Sequence, residues 1–130
     1  MRVLGMESSS LVASVALVTD DVLTAEYTVD FKKTHSQTLL PMLDEIVRLL
    51  ELDMDTIDAI AVAAGPGSFT GLRIGAATAK GLGLALSKPL IHVPTVDAMA
   101  YNIMGSQGNC VPHYGCEAQP GIYRALPDRK

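Results

Sequence analysis

Short apolar runs set between polar residues open the chain. Val3 to Glu7 and Ala13 to Val18 are two such runs. Val22 to Phe31 then alternates loosely through Val22, Leu23, Ala25, Tyr27, Val29 and Phe31. A period near two predicts three consecutive strands, with Ser8-Ser9-Ser10 and Asp20-Asp21 as polar turns between them. The period then lengthens. Leu39, Leu43, Ile46 and Leu50 fall at helical spacing, with Asp44, Glu45, Arg48 and Glu51 elsewhere. Thr34 and Gln37 match a capping box for that helix, while Pro41 either sits near its first turn or kinks it. Asp53 to Asp58 is a polar connector, and Asp58 to Ala64 is apolar enough on both faces for a covered central strand.

A Gly-Pro-Gly loop follows, and then a helix built mostly from small residues. Gly71, Gly75, Ala79 and Gly83 lie four apart and form one row along it, while Ala77, Gly81 and Ala85 form a second. Interior glycines each cost about 1 kcal/mol of helix stability relative to alanine, so close approach of another backbone, from a sheet or from a partner helix, must compensate. Ser87-Lys88-Pro89 stops the helix, Leu90 to Val93 is a short strand, and Pro94-Thr95 starts a last helix reaching Met104. The order βββαβαβα predicts one α/β domain with a mixed sheet and helices packed on it.

Composition narrows the classes. A chain of 130 residues with 48% apolar residues can build a core, and its formal charge of −4 argues against general affinity for a nucleic-acid backbone. No apolar run approaches the roughly 18 residues of a membrane span, and Met1 to Gly5 lacks a signal-peptide layout. Both point to the cytoplasm. Cys110 and Cys116 are too few for a disulfide framework, and no second pair completes a zinc site.

The candidate chemistry centres on the glycine loop. A strand-to-helix turn of this kind attracts anions through its backbone N–H groups. The specific fingerprints fail, however. Gly71-Leu72-Arg73 stands where a P-loop needs Gly-Lys-Ser/Thr, Thr70 stands where a dinucleotide loop needs glycine, and Pro66 and Thr70 flank Ser68 where a nucleophile elbow needs glycines. Gly65, Gly67, Ser68 and Thr70 therefore remain open between a packing turn and an anion loop, with Glu7 and Ser8 at the end of the first strand beside either. Arg73 and Lys80, seven apart, are a solvated edge or a contact to a partner's acidic or phosphate groups. His35 reads as a capping or surface residue and His92 as a buried, hydrogen-bonded one; with His113 they have no metal-ligand spacing.

The segments GMESSSLVASVALV, HSQTLLP, AVAAGPGSFTGLRIGAATAKGLGLAL and PLIHVPTVDAMAYN resemble the N-terminal domain of the TsaB (YeaZ) family, long labelled glycoprotease-like. The resemblance covers residues 1–108 and implies an actin-like ATPase (ribonuclease H-like) fold. It implies a non-catalytic role in making threonylcarbamoyladenosine in bacterial transfer RNA, beside the transferase TsaD and the ATPase TsaE. The catalytic paralogue carries a segment resembling V-N-H-L-E-A-H with two metal-binding histidines. Thr95 and Met99 stand in those places here, and both are poor ligands for the metals involved. No cofactor is implied for the domain alone; ATP or ADP would need an interface with a partner or a second domain.

The resemblance also implies pairing through helices, with TsaD or with a second copy. On that basis Gly71, Arg73, Gly75, Ala79, Lys80 and Gly83, with Leu39 and Leu43, are expected to form the partner surface. Gly75→Leu or Gly83→Leu is then expected to abolish association and leave a folded monomer. Two rivals stand beside this reading: an ATP-binding phosphotransferase of the same fold, and a self-associating structural domain.

The stretch 109–130 departs from the family. The codon degeneracy of Asn109 to Pro127 permits, one nucleotide over, a reading close to the family's continuation. A frameshift near Gly108 or Asn109 and the absence of the family's second domain are the expectation. Cys110, Cys116 and His113 would then carry no selected function.

Overall fold

The computed structural model describes residues 1–30, 35–102, 110–114 and 120–124. Its strands and helices follow the change of period. β1 (Arg2–Glu7), β2 (Ala13–Thr19) and β3 (Val22–Val29) come first, then helix α1 (His35–Leu50), β4 (Ala59–Ala63), α2 (Phe69–Leu86), β5 (Leu90–Val93) and α3 (Thr95–Tyr101). The first five strands form one sheet in the order β3-β2-β1-β4-β5. β1, β2 and β3 pair antiparallel, whereas β1–β4 and β4–β5 pair parallel. The sheet is mixed, as the element order requires.

Alternation then decides which residues meet the helices. Leu4 and Met6 of β1, Ala13 and Val15 of β2, and Ile60 and Val62 of β4 point to one side. There they meet Leu39, Met42, Leu43 and Ile46 of α1 and Ala79 of α2. α1 lies over β2 and β3, α2 lies over β4, and the two helices touch. Leu50, at the end of the apolar spacing of α1, is exposed, and Met42 takes a core position instead. Pro41 is inside α1, where it removes one N–H donor, and its side chain faces solvent. Thr34, the expected cap, lies outside the described residues.

Three sequence expectations change. His92 is exposed on the edge strand β5 rather than buried. A short edge strand has no second neighbour to cover its outer flank, so an apolar surrounding sequence does not bury the imidazole. Leu39 and Leu43 are 1% and 5% exposed and belong to the core, so they are not free for a partner. The tail, for which the apolar pattern gave no element, contributes β6 (Cys110–Tyr114) and β7 (Pro120–Arg124), paired antiparallel as a separate sheet. No helix among the described residues is long and apolar enough to cross a membrane.

Candidate functional site

The end of β1 and the glycine loop come together as one packed unit. Glu7 ends β1, and its Oε1 accepts the N–H of Ser9, which turns the chain back toward α2. Ser8 is buried, and its hydroxyl donates to the Gly71 carbonyl at 3.0 Å. The Ser68 N–H donates to the Ser9 carbonyl at 2.7 Å, tying the loop to the same turn. Ser68 also caps α2, its Oγ accepting the Gly71 N–H at 3.3 Å. A Cβ at Gly67 would sit 2.7 Å from the Ser9 carbonyl oxygen, so only glycine allows this approach. Gly65 has φ of 99°, a conformation that favours glycine, and its carbonyl accepts the Thr95 N–H at 2.8 Å.

These contacts use Ser8, Gly67 and Ser68 in packing and capping. Thr70 is exposed at the start of α2. Glu7 faces the other side of the sheet, where it joins Gly5, Ser14, Ala16, Ala61 and Val93 around a depression of about 210 Å³. Among the described residues, no lysine or arginine lines that depression. Of the described side chains, a phosphate would meet a carboxylate there and no cation.

The glycine row of α2 lies inside the domain. Gly71, Gly75, Ala79 and Gly83 are all buried, facing the protein's own sheet. A Cβ at Gly75 would collide with the Ser8 hydroxyl and touch Val62, and one at Gly83 would meet Leu90 Cδ2 at 2.9 Å. The close approach that compensates the glycines is therefore between α2 and β1, β4 and β5 of the same chain. This corrects the expectation that the row is a free surface. It equally corrects the expectation that leucine at Gly75 or Gly83 would spare the fold.

The second row points outward. Ala77, Gly81 and Ala85 are exposed, and among the described residues nothing lies within 4 Å of a Cβ placed at Gly81. Arg73 and Lys80 are exposed on this outer side. Phe69 and Leu84 are 72% and 85% exposed. The Arg73 guanidinium stands 5.1 Å over the Phe69 ring. Spacing alone gives two equivalent rows and does not say which of them faces outward.

Thr95 is 3% exposed, and its Oγ1 has no hydrogen-bond partner. Met99 is half-buried on α3. A buried hydroxyl and a thioether are not a donor set for a hard or borderline metal ion. Among the described residues, no three His, Cys, Asp or Glu side chains gather as metal ligands.

A family profile described as TsaD: tRNA N6-adenosine threonylcarbamoyltransferase matches residues 29–116. The tRNA threonylcarbamoyladenosine biosynthesis protein TsaB of Escherichia coli (strain K12) is 36% identical over 108 residues, covering 83% of this chain and 46% of that protein. The chain belongs to the TsaD family, on its TsaB (YeaZ) branch. The Bacillus subtilis (strain 168) TsaB is 33% identical over 102 residues, covering 78% of this chain and 44% of its own length. A TsaD-type relative, the tRNA N6-adenosine threonylcarbamoyltransferase of Protochlamydia amoebophila, is 36% identical over 117 residues, with 78% and 34% covered. The solved structure of YeaZ from Pseudomonas aeruginosa superposes with a TM-score of 0.79 at 27% identity, over 96% of this chain and 61% of that one. The chain thus has the fold of YeaZ, and it spans about half the length of the curated TsaB relatives it matches.

Proposed function

We propose that this chain acts as a non-catalytic TsaB-type partner in making threonylcarbamoyladenosine in transfer RNA. In this reading it pairs with a TsaD paralogue through the outer face of α2, and a TsaE-type ATPase joins the pair. The TsaB relatives carry that biosynthetic role in their names. One observation carries the pairing: Ala77, Gly81 and Ala85 form an exposed row of small residues, open around Gly81 and flanked by exposed Leu84 and Lys80. Small side chains let a second helix approach closely, and the flanking apolar surface gives that approach a driving force. A second copy would use the same face, making a homodimer in the absence of TsaD. The reading assigns no resident cofactor to the domain.

The test is sedimentation of the chain with the TsaD paralogue of the same genome, in wild-type and Gly81→Arg forms. Gly81→Arg replaces open space on an exposed helix face, so its melting midpoint should hold or rise. The expected result is a complex with the wild type and free components with the variant. Equal complex formation by both would place the interface elsewhere.

A further inference from the structure

We propose that the free edge of β3 accepts an extended segment of another polypeptide as a sixth strand, one that alternates apolar and basic residues. This surface is separate from the outer face of α2 and does not depend on the reading of that face.

The sheet has two edges. β5 is a strand of 4 residues, short enough to offer little template, whereas β3 is a strand of 8. Among the described residues nothing pairs with the outer side of β3. Its sequence, VLTAEYTV, contains no lysine and no proline, two of the devices that blunt exposed edges. A register irregularity between Leu17 and Val18 affects the start of the β2–β3 pairing and leaves Ala25 to Val29 regular.

What lies on either side of this edge defines the chemistry of the occupant. Tyr27 and Val29 pair with Val15 and Ala13, whose side chains are in the core, so they face α1. Between them and Gln37, Thr38, Pro41, Met42 and Glu45 of α1 is a groove of about 330 Å³. A strand added about 4.8 Å from β3 would turn alternate side chains into that groove, beneath α1. Those side chains would be apolar where they meet Tyr27, Val29, Pro41 and Met42, while Gln37 and Glu45 leave room for a polar end. On the opposite face Glu26 is exposed, with its carboxylate accepting the Thr28 hydroxyl at 2.6 Å. The intervening residues of the added strand would lie next to Glu26, where a basic side chain pairs and an acidic one repels. A second copy of β3 fits less well, because antiparallel pairing centred on Glu26 brings two carboxylates together and pairing centred on Ala25 sets each Glu26 opposite Thr24, with no cation to meet.

The test uses the whole chain, isotope-labelled for NMR, and a short capped peptide alternating valine and lysine. Three outcomes are expected. The amide signals of Val22 to Val29 shift on titration. N-methylation of the peptide along one edge weakens binding at least about tenfold, since it deletes main-chain hydrogen bonds. Glu26→Lys weakens binding about threefold and lets a valine–glutamate peptide bind instead. The proposal is overturned if the β3 signals do not move at millimolar peptide, or if the N-methylated or glutamate peptide binds the wild type equally well. Shifts of the β3 signals with protein concentration alone would also overturn it, in favour of a second copy.

Discussion

At the scale of single residues, two glycines of one helix have opposite roles. Gly75 is buried against Ser8 and Val62, and any Cβ there must displace the Ser8 hydroxyl from its hydrogen bond to the Gly71 carbonyl. Gly75→Ala should therefore destabilise the protein by about 1–3 kcal/mol despite alanine's better helix propensity. Gly81 faces open space, so Gly81→Ala should stabilise it by about 1 kcal/mol. Urea unfolding of the two variants checks both signs; a loss at Gly81 or a gain at Gly75 would contradict the orientation of α2. Thr95 offers a third residue-level test. Its hydroxyl is buried with no partner, so it brings a desolvation cost and no hydrogen bond in return. Thr95→Val keeps the shape and removes that cost. The variant should be as stable as wild type or more stable by about 1 kcal/mol in the same assay, and a clear loss would mean that the hydroxyl is bound.

At the scale of elements, the sequence and the structure agree wherever one face of an element differs from the other. The β1–β2–β3 meander and α1 are legible because their apolar residues recur with periods that distinguish strand from helix. β4 is legible because it is apolar throughout, as befits a strand with a neighbour on either side. α2 is different. Gly71, Gly75, Ala79 and Gly83 have the same spacing and nearly the same chemistry as Ala77, Gly81 and Ala85, so hydrophobicity cannot tell which row faces inward. What decides is a contact distant in sequence: the Ser8 hydroxyl fits only where a side chain is missing. The same limit applies to Leu39 and Leu43, whose place in the core follows from the way α1 lies across β2 and β3. The glycine loop was half legible. Its turn was visible in the Gly-Pro-Gly run, but the Ser68 cap and the attachment to Ser9 were not.

At the scale of the whole molecule, both long helices lie on one side of the sheet. The opposite side carries Gly5 opposite Ala16 and Ala61, with Ile91 next to Ala61, a band of small and apolar residues across four strands. Parallel strand pairs such as β1–β4–β5 are usually covered on both faces, because each face is apolar. Gly5, Ala16 and Ala61 remain only half-buried here, and the depression beside Glu7 opens among them. Such a surface should bind a hydrophobic dye such as anilinonaphthalene sulfonate. Ala16→Lys places a flexible cation at the centre of the band, with its amine free to reach water. Its effect on folding should be small because Ala16 lies outside the cluster formed by Leu4, Val15, Leu39 and Ile60. The expected outcome is a marked fall in dye fluorescence at an unchanged melting midpoint. The outer face of α2 also exposes Leu84, so Leu84→Lys serves as the control. If Leu84→Lys removes the signal and Ala16→Lys leaves it, the dye reads the helix and the sheet face is not the dominant apolar surface.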